Sequence, residues 1–134
     1  MREPIRKTTP SLLTPSQGAR KEVTSGPRSE QTHAELLAHW ECLNNVELQQ
    51  TTPTDTPAIV TVAAWNIERC KRVPETAQVL LESGADILLA TEMDLGMARS
   101  GQHHTTRDLA EALGMGYAFG VEFVELGTGD PYET

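Results

Sequence analysis

Two short apolar runs separated by one helix-length stretch constrain this chain more than anything else in it. Residues 58–65, Ala-Ile-Val-Thr-Val-Ala-Ala-Trp, are β-branched and almost wholly apolar, the texture of a strand covered on both faces. Residues 86–91, Asp-Ile-Leu-Leu-Ala-Thr, repeat that texture. Between them Pro74 suits the first turn of a helix, Ala77, Val79, Leu80 and Leu81 supply its apolar side, and Gly84 suits its C-terminal cap. Strand, helix and strand within about 35 residues make a βαβ unit, whose strands pair in parallel through a right-handed crossover. A further helix over 106–113, stopped by Gly114, and a strand over 117–124 follow. The fold class is therefore α/β.

The remainder of the 134 residues divides by charge and composition. Residues 1–30 hold six basic and three acidic side chains, and residues 31–134 hold five and sixteen, so a +3 tail precedes a −11 body. Residues 1–31 are poor in apolar side chains and are expected to be disordered. Pro4, Pro10, Pro15 and Pro27, with Glu3, Glu22 and Glu30, also oppose the amphipathic helix of a transit peptide. Thr32 and Glu35 stand at capping-box spacing, and Leu36, Leu37, Trp40 and Leu43 follow on one face. That predicts a helix over 33–49 within an N-terminal helical segment, 32–50. Residues 51–57, rich in Thr and Pro, read as a linker, and 58–134 as the main domain.

No apolar run approaches the length that crosses a bilayer, and no apolar stretch follows the basic N-terminal residues as in a secretory signal. A cytoplasmic setting is expected, with Cys42 and Cys70 as reduced thiols. The acidic body argues against sequence-independent duplex binding, which needs a basic face, but not against a divalent cation.

In an open α/β sheet, ligands sit outside the carboxyl ends of the parallel strands. The residues just past the last apolar positions are Asn66 and Glu92. Neighbouring strands lie about 4.8 Å apart, so both side chains reach one small site. A carboxylate beside an amide suits a hard cation and a phosphoryl oxygen, Glu92 as the ligand and Asn66 as a hydrogen-bond donor. The competing reading is that Glu92 caps a loop and Asn66 starts a turn. A dinucleotide site would use the same βαβ frame, but the loop Asn66-Ile67-Glu68-Arg69-Cys70-Lys71-Arg72 has no glycine to let a pyrophosphate approach.

Other candidates fall away on spacing. His33 and His39 stand about 240° apart round a helix. His103 and His104 are adjacent and point opposite ways in extended chain. Glu122 and Glu125 lie at odd separation on the expected strand, hence on opposite faces. Asp94 reads as a turn residue or a partner of a neighbouring side chain. Arg99 is the one further candidate, a loop guanidinium able to take a phosphate bidentately, set against a plain solvated arginine.

Three segments in order, Trp65-Asn66-Ile67-Glu68-Arg69, Gly84-Ala85-Asp86 leading to Thr91-Glu92-Met93-Asp94, and Tyr117-Ala118-Phe119-Gly120-Val121-Glu122-Phe123, resemble the N-terminal part of the endonuclease/exonuclease/phosphatase family of metal-dependent phosphoesterases. The likeness extends to a bacterial branch with a segment like Gly96-Met97-Ala98-Arg99-Ser100-Gly101, and it covers residues 58–134. What it implies is a partial two-sheet α/β sandwich, preceded here by the N-terminal helix and disordered tail. It further implies Mg²⁺ or Mn²⁺ held by Glu92, Asn66 beside the metal on the scissile phosphate, and water attacking phosphorus in line. The substrate is then a phosphoester, with nucleic acid, phospholipid and small phosphate ester all open. The family's later Asp-x-Asn and Ser-Asp-His motifs, which activate that water, do not occur in this sequence. The expectation is a truncated, inactive hydrolase that self-associates through an exposed sheet edge. The alternative is a non-catalytic phosphate- or protein-binding module on the same scaffold.

Overall fold

The computed structural model describes residues 4–52, 55, 57–127 and 129. Over these described residues it is a mixed α/β fold with four α-helices and two small sheets, the helices being α1 (Gln17–Ser25), α2 (Glu30–His39), α3 (Val73–Ser83) and α4 (Thr105–Leu113). β1 (Thr8–Thr9), β2 (Val46–Gln49) and β5 (Tyr117–Gly120) form one sheet in the order β1-β2-β5. β1 runs parallel and β5 antiparallel to β2. β3 (Val62–Asn66) and β4 (Ile87–Thr91) form a separate parallel pair, registered from Val62 opposite Ile87 to Asn66 opposite Thr91.

The β3-α3-β4 unit forms as its sequence dictates. Pro74 sits in the first turn of α3, and Gly84 ends it in the left-handed conformation (φ 65°) that glycine adopts without strain. Asp86 ties the entrance of β4 to that of β3, its N–H donating to Thr61 O at 2.8 Å and its Oδ2 accepting from Thr61 N at 2.8 Å. Helices α3 and α4 cover one face of the pair, where Ile67, Cys70, Ala77, Leu80 and Leu109 are buried together against Ala63, Leu88 and Ala90.

The other face is open, which corrects the expectation of strands covered on both sides. Val62 is 54% exposed, Ile87 46% and Leu89 59%, all on the face that alternation places opposite Ala63 and Leu88. An apolar run reports what its residues prefer, not whether a second layer is there to receive them. The first strand also starts later, at Val62 rather than residue 58.

The largest departures lie at the N-terminal end. Residues expected to be a disordered tail carry β1, α1 and the start of α2, with residues 1–3 outside the described set. Their order rests on few side chains: Leu12 is buried with Cys42 and Leu43, and Ser16 and Ser29 cap α1 and α2 through bonds to the N–H groups of Ala19 and Thr32. Pro15 precedes the Ser16 cap and Pro27 falls between the helices, so neither breaks one.

The single helix expected over 33–49 is also corrected. It stops at His39, gives way to a 3-10 turn over Glu41–Leu43, and continues as β2. Asn44 closes the break by donating through Nδ2 to Leu37 O at 2.8 Å and Trp40 O at 2.9 Å. Residues 51, 52, 55 and 57 of the expected linker have no regular structure, and 53, 54 and 56 lie outside the described residues. β5 ends at Gly120 rather than 124 because its partner β2 ends opposite it, Val46 facing Gly120. Glu122 and Glu125 therefore lie beyond the strand. A Cβ on Gly116, just before β5, would stand 2.8 Å from Gln49 O, so only glycine permits β5 to enter this close to β2. No described helix is long and apolar enough to cross a membrane.

Candidate functional site

The parallel pairing brings Asn66 and Glu92 together at one rim. Asn66 Nδ2 donates to Glu92 Oε1 at 2.7 Å, and Asn66 Oδ1 accepts from Glu68 N–H at 3.1 Å. The amide is thereby fixed in orientation at both ends. Both residues are exposed.

Strand alternation alone would not achieve this contact. A side chain following Thr91 in extended chain points to the helix-covered face, away from Asn66. Glu92 instead has φ 60°, which ends the pleat and turns the carboxylate toward the amide. Across the rim Glu68, Arg69 and Cys70 have φ 49°, 73° and 49°. Each non-glycine residue held there costs about 1–2 kcal/mol. Two backbone bonds beyond the paired residues hold the strained turn, Ile67 N–H to Thr91 O at 3.2 Å and Arg69 N–H to Glu92 O at 2.8 Å. Strain of this kind persists only where surrounding structure enforces it, and it concentrates at functional sites.

A groove of about 940 Å³ opens from this rim, lined by residues 86–93 on one side and 115–123 on the other, with Arg69, Glu92 and Arg99 at its polar end. Arg99 has one edge of its guanidinium engaged. Its Nε and Nη2 donate to Asp94 Oδ2 and Oδ1 at 2.9 and 2.6 Å, and its guanidinium carbon lies 5.9 Å from the centre of the Phe123 ring. The Nε/Nη2 edge of the guanidinium is thus taken by Asp94, which is 1% exposed, and the Nη1 hydrogens with the second Nη2 hydrogen are the donors left for the phosphate contact expected of Arg99. The hydrogen bonds to Asp94 raise the Arg99 pKa and keep the group charged.

Among the described residues no group of three or more His, Cys, Asp or Glu side chains is placed to hold a metal ion. Asn66 is an amide whose Oδ1 already accepts from Glu68 N–H, and Glu92 is the one carboxylate of the rim pair. These residues do not build a closed metal centre. They fit a single ligand position for a hard cation that keeps most of its waters, as Mg²⁺ commonly does.

A second polar cluster, which spacing missed by placing Glu47 on a helix, is buried between β2, α4 and β5. Glu47 is fully buried; its Oε1 accepts from Arg107 Nη2 at 2.8 Å and from the Tyr117 hydroxyl, and its Oε2 from Leu12 N–H at 2.6 Å. His104 caps α4, its Nδ1 accepting from Arg107 N–H at 3.4 Å, and its Nε2 lies 3.3 Å from Glu47 Oε1. His103 turns outward to Asp108 Oδ2 at 2.9 Å. The faint signal was the strand-like alternation Val46-Glu47-Leu48-Gln49.

Burial pushes the Glu47 carboxyl up, but the bonds from Tyr117, Arg107 and Leu12 outweigh it and leave the group below the usual carboxylate range. Burial depresses His104 below its ordinary 6.5, against the pull of the Glu47 charge. Burial raises both thiols, Cys42 and Cys70, above their ordinary 9.0. Stability measured by urea unfolding is therefore expected to be highest between about pH 6.5 and 9. Below 6.5 the unfolded state takes up the proton that buried His104 resists, and below about 4.5 Glu47 adds a steeper loss. Above about 9 the unfolded thiols ionise first and stability falls again. A stability unchanged between about pH 7 and pH 3 would contradict the buried cluster of Glu47 and His104.

Comparison with known proteins adds no relative: no family model, no curated protein and no solved structure matches this chain.

Proposed function

We propose that the chain carries one rim of a Mg²⁺- or Mn²⁺-dependent phosphoester hydrolase site of the endonuclease/exonuclease/phosphatase type, in part of a two-sheet α/β sandwich. The observation that carries this reading is the Asn66–Glu92 contact of 2.7 Å at the carboxyl ends of adjacent parallel strands, held by left-handed backbone on both sides. A turn or a cap needs no such aim, since Asn66 already closes its own turn through Glu68 N–H. A bound cation would supply charge stabilisation at the phosphoryl oxygens. Glu92 offers an oxygen ligand, and Asn66, with one amide hydrogen spent on Glu92, keeps the other for a phosphoryl oxygen. Arg99, neutralised by Asp94, contributes at most the guanidinium hydrogens left outside that fork.

The test separates binding from turnover. Mn²⁺ titrated in the millimolar range is expected to broaden the NMR signals of the Asn66 side-chain amide and the backbone around Glu92 first, and Glu92→Gln is expected to remove that selectivity. Broadening centred elsewhere, or surviving Glu92→Gln, would defeat the site. With Mn²⁺ present, hydrolysis of bis-p-nitrophenyl phosphate is expected to be no faster than for Glu92→Gln, because the water-activating motifs do not occur in the sequence. Robust turnover that depends on Glu92 would overturn the inactivity while supporting the site.

The open apolar face beside the rim favours one other reading, a non-catalytic module that uses the same scaffold to bind a phosphate-bearing ligand or a protein. Selective Mn²⁺ broadening at Asn66 that is displaced by neither phosphate nor a phosphodiester would speak for the protein-binding form.

A further inference from the structure

The N-terminal segment reaches the loop that carries Arg99. Arg20, on α1, is 5% exposed, and among the described residues no carboxylate forms an ion pair with it. Its Nε donates to Pro15 O at 3.0 Å and its Nη1 to Gly96 O at 3.5 Å. Burying a guanidinium without a counter-ion is costly, and hydrogen bonds to the Pro15 and Gly96 carbonyls offset part of that cost.

What it holds is the loop following Asp94. Thr14 packs over Gly96 so closely that a Cβ there would stand 3.3 Å from both Thr14 Cγ2 and Oγ1. Leu12 lies in the core cluster against which Leu95 packs. On its other side Gly96 N–H donates to His103 O at 2.9 Å, closing the loop around the 3-10 turn of Ala98–Ser100. One segment thus bears on Leu95 and Gly96, two of the three residues between Asp94 and the turn that presents Arg99.

We infer that Arg20 is a positioning residue for Arg99: by gripping Gly96 it fixes the loop in the arrangement in which Asp94 holds the Arg99 guanidinium at the polar end of the groove. The functional meaning rests on the phosphoester reading of the Asn66–Glu92 rim, and extends it by making the N-terminal segment a support of that site.

The readout is exchange with water of the Arg99 Nε–H, which donates to Asp94 Oδ2, followed by NMR in the full chain. Arg20→Ala is expected to speed that exchange about fivefold, short of the full worth of a charged hydrogen bond because Nη1 stands 3.5 Å from Gly96 O. Leu80→Ala, which weakens the other core cluster, is expected to leave it within about twofold at a matched loss of thermal stability. Unchanged exchange in Arg20→Ala, or equal acceleration in Leu80→Ala, would overturn the inference. Should Arg20→Ala fail to fold, Arg20→Lys, which keeps the charge and loses the planar fork, is expected to accelerate exchange by a smaller factor; no acceleration overturns the inference equally. Mn²⁺ broadening at Asn66, read on the same wild-type sample, reports on the phosphoester reading independently of the Arg99 result.

Discussion

Glu47→Ala is expected to cost about 3–5 kcal/mol of folding stability, because it removes one partner of a buried charge cluster and leaves the rest in place. For a domain of this size that corresponds to a fall in Tm of roughly 10–20 °C. Three donors lose their acceptor at once, the Leu12 N–H, the Tyr117 hydroxyl and Arg107 Nη2, and they come from three separate parts of the chain. Arg107 recovers some hydration because its side chain is 39% exposed, which keeps the expectation from running higher. Glu47→Gln preserves shape and one carbonyl oxygen but sets an amide NH₂ against a donor, so its loss is expected to fall between wild type and alanine. Differential scanning calorimetry of the three proteins checks the order; an alanine variant within about 1 kcal/mol of wild type would mean that Glu47 is not buried in solution.

The same residue shows why part of the fold was illegible. Apolar spacing at Leu36, Leu37, Trp40 and Leu43 announces a helix, and one forms, but spacing has no means of stopping it at His39. The stop depends on Asn44 reaching back to Leu37 O and Trp40 O, and on Glu47 being drawn into a cluster whose members lie 60 and 70 residues further along the chain. The N-terminal segment was misread for a related reason. Composition averages over residues 1–31, whereas order there rests on Leu12, Arg20 and two serine caps.

The βαβ unit was legible because its signals are local: two β-branched or leucine-rich runs, a proline at the first turn and a glycine at the cap. From that unit the topology rule alone picks out Asn66 and Glu92, and the structure brings their side chains into contact. The means of contact was hidden. Nothing in Glu68-Arg69-Cys70 or Glu92 advertises positive φ, since these residue types adopt it only under tertiary constraint. Arg99 was legible as a loop cation and not as the partner of Asp94, five residues before it, because the 3-10 turn that carries Arg99 sets their approach.

Leu109→Ala and Leu89→Lys test the one-sided cover of the β3–β4 pair by opposite expectations. Leu109 is 3% exposed in the cluster between α3, α4 and the sheet, so its truncation is expected to cost about 2–5 kcal/mol, depending on how far the cavity collapses. Leu89 lies on β4 between Leu88 and Ala90, which pack on that cluster, but is itself 59% exposed, and a lysine there is expected to change stability by no more than about 0.5 kcal/mol. The lysine should nevertheless alter association, since Leu89 is the most exposed of the three large residues on the open face, with Val62 and Ile87 beside it. We propose that this face drives self-association, so light scattering and binding of an apolar dye are expected to fall in Leu89→Lys and to remain in wild type. A loss of stability in Leu89→Lys comparable to that of Leu109→Ala would carry the opposite meaning. It would show the face already covered in solution, and the protein studied at equilibrium would then be an assembly in which a second copy lies over Val62, Ile87 and Leu89.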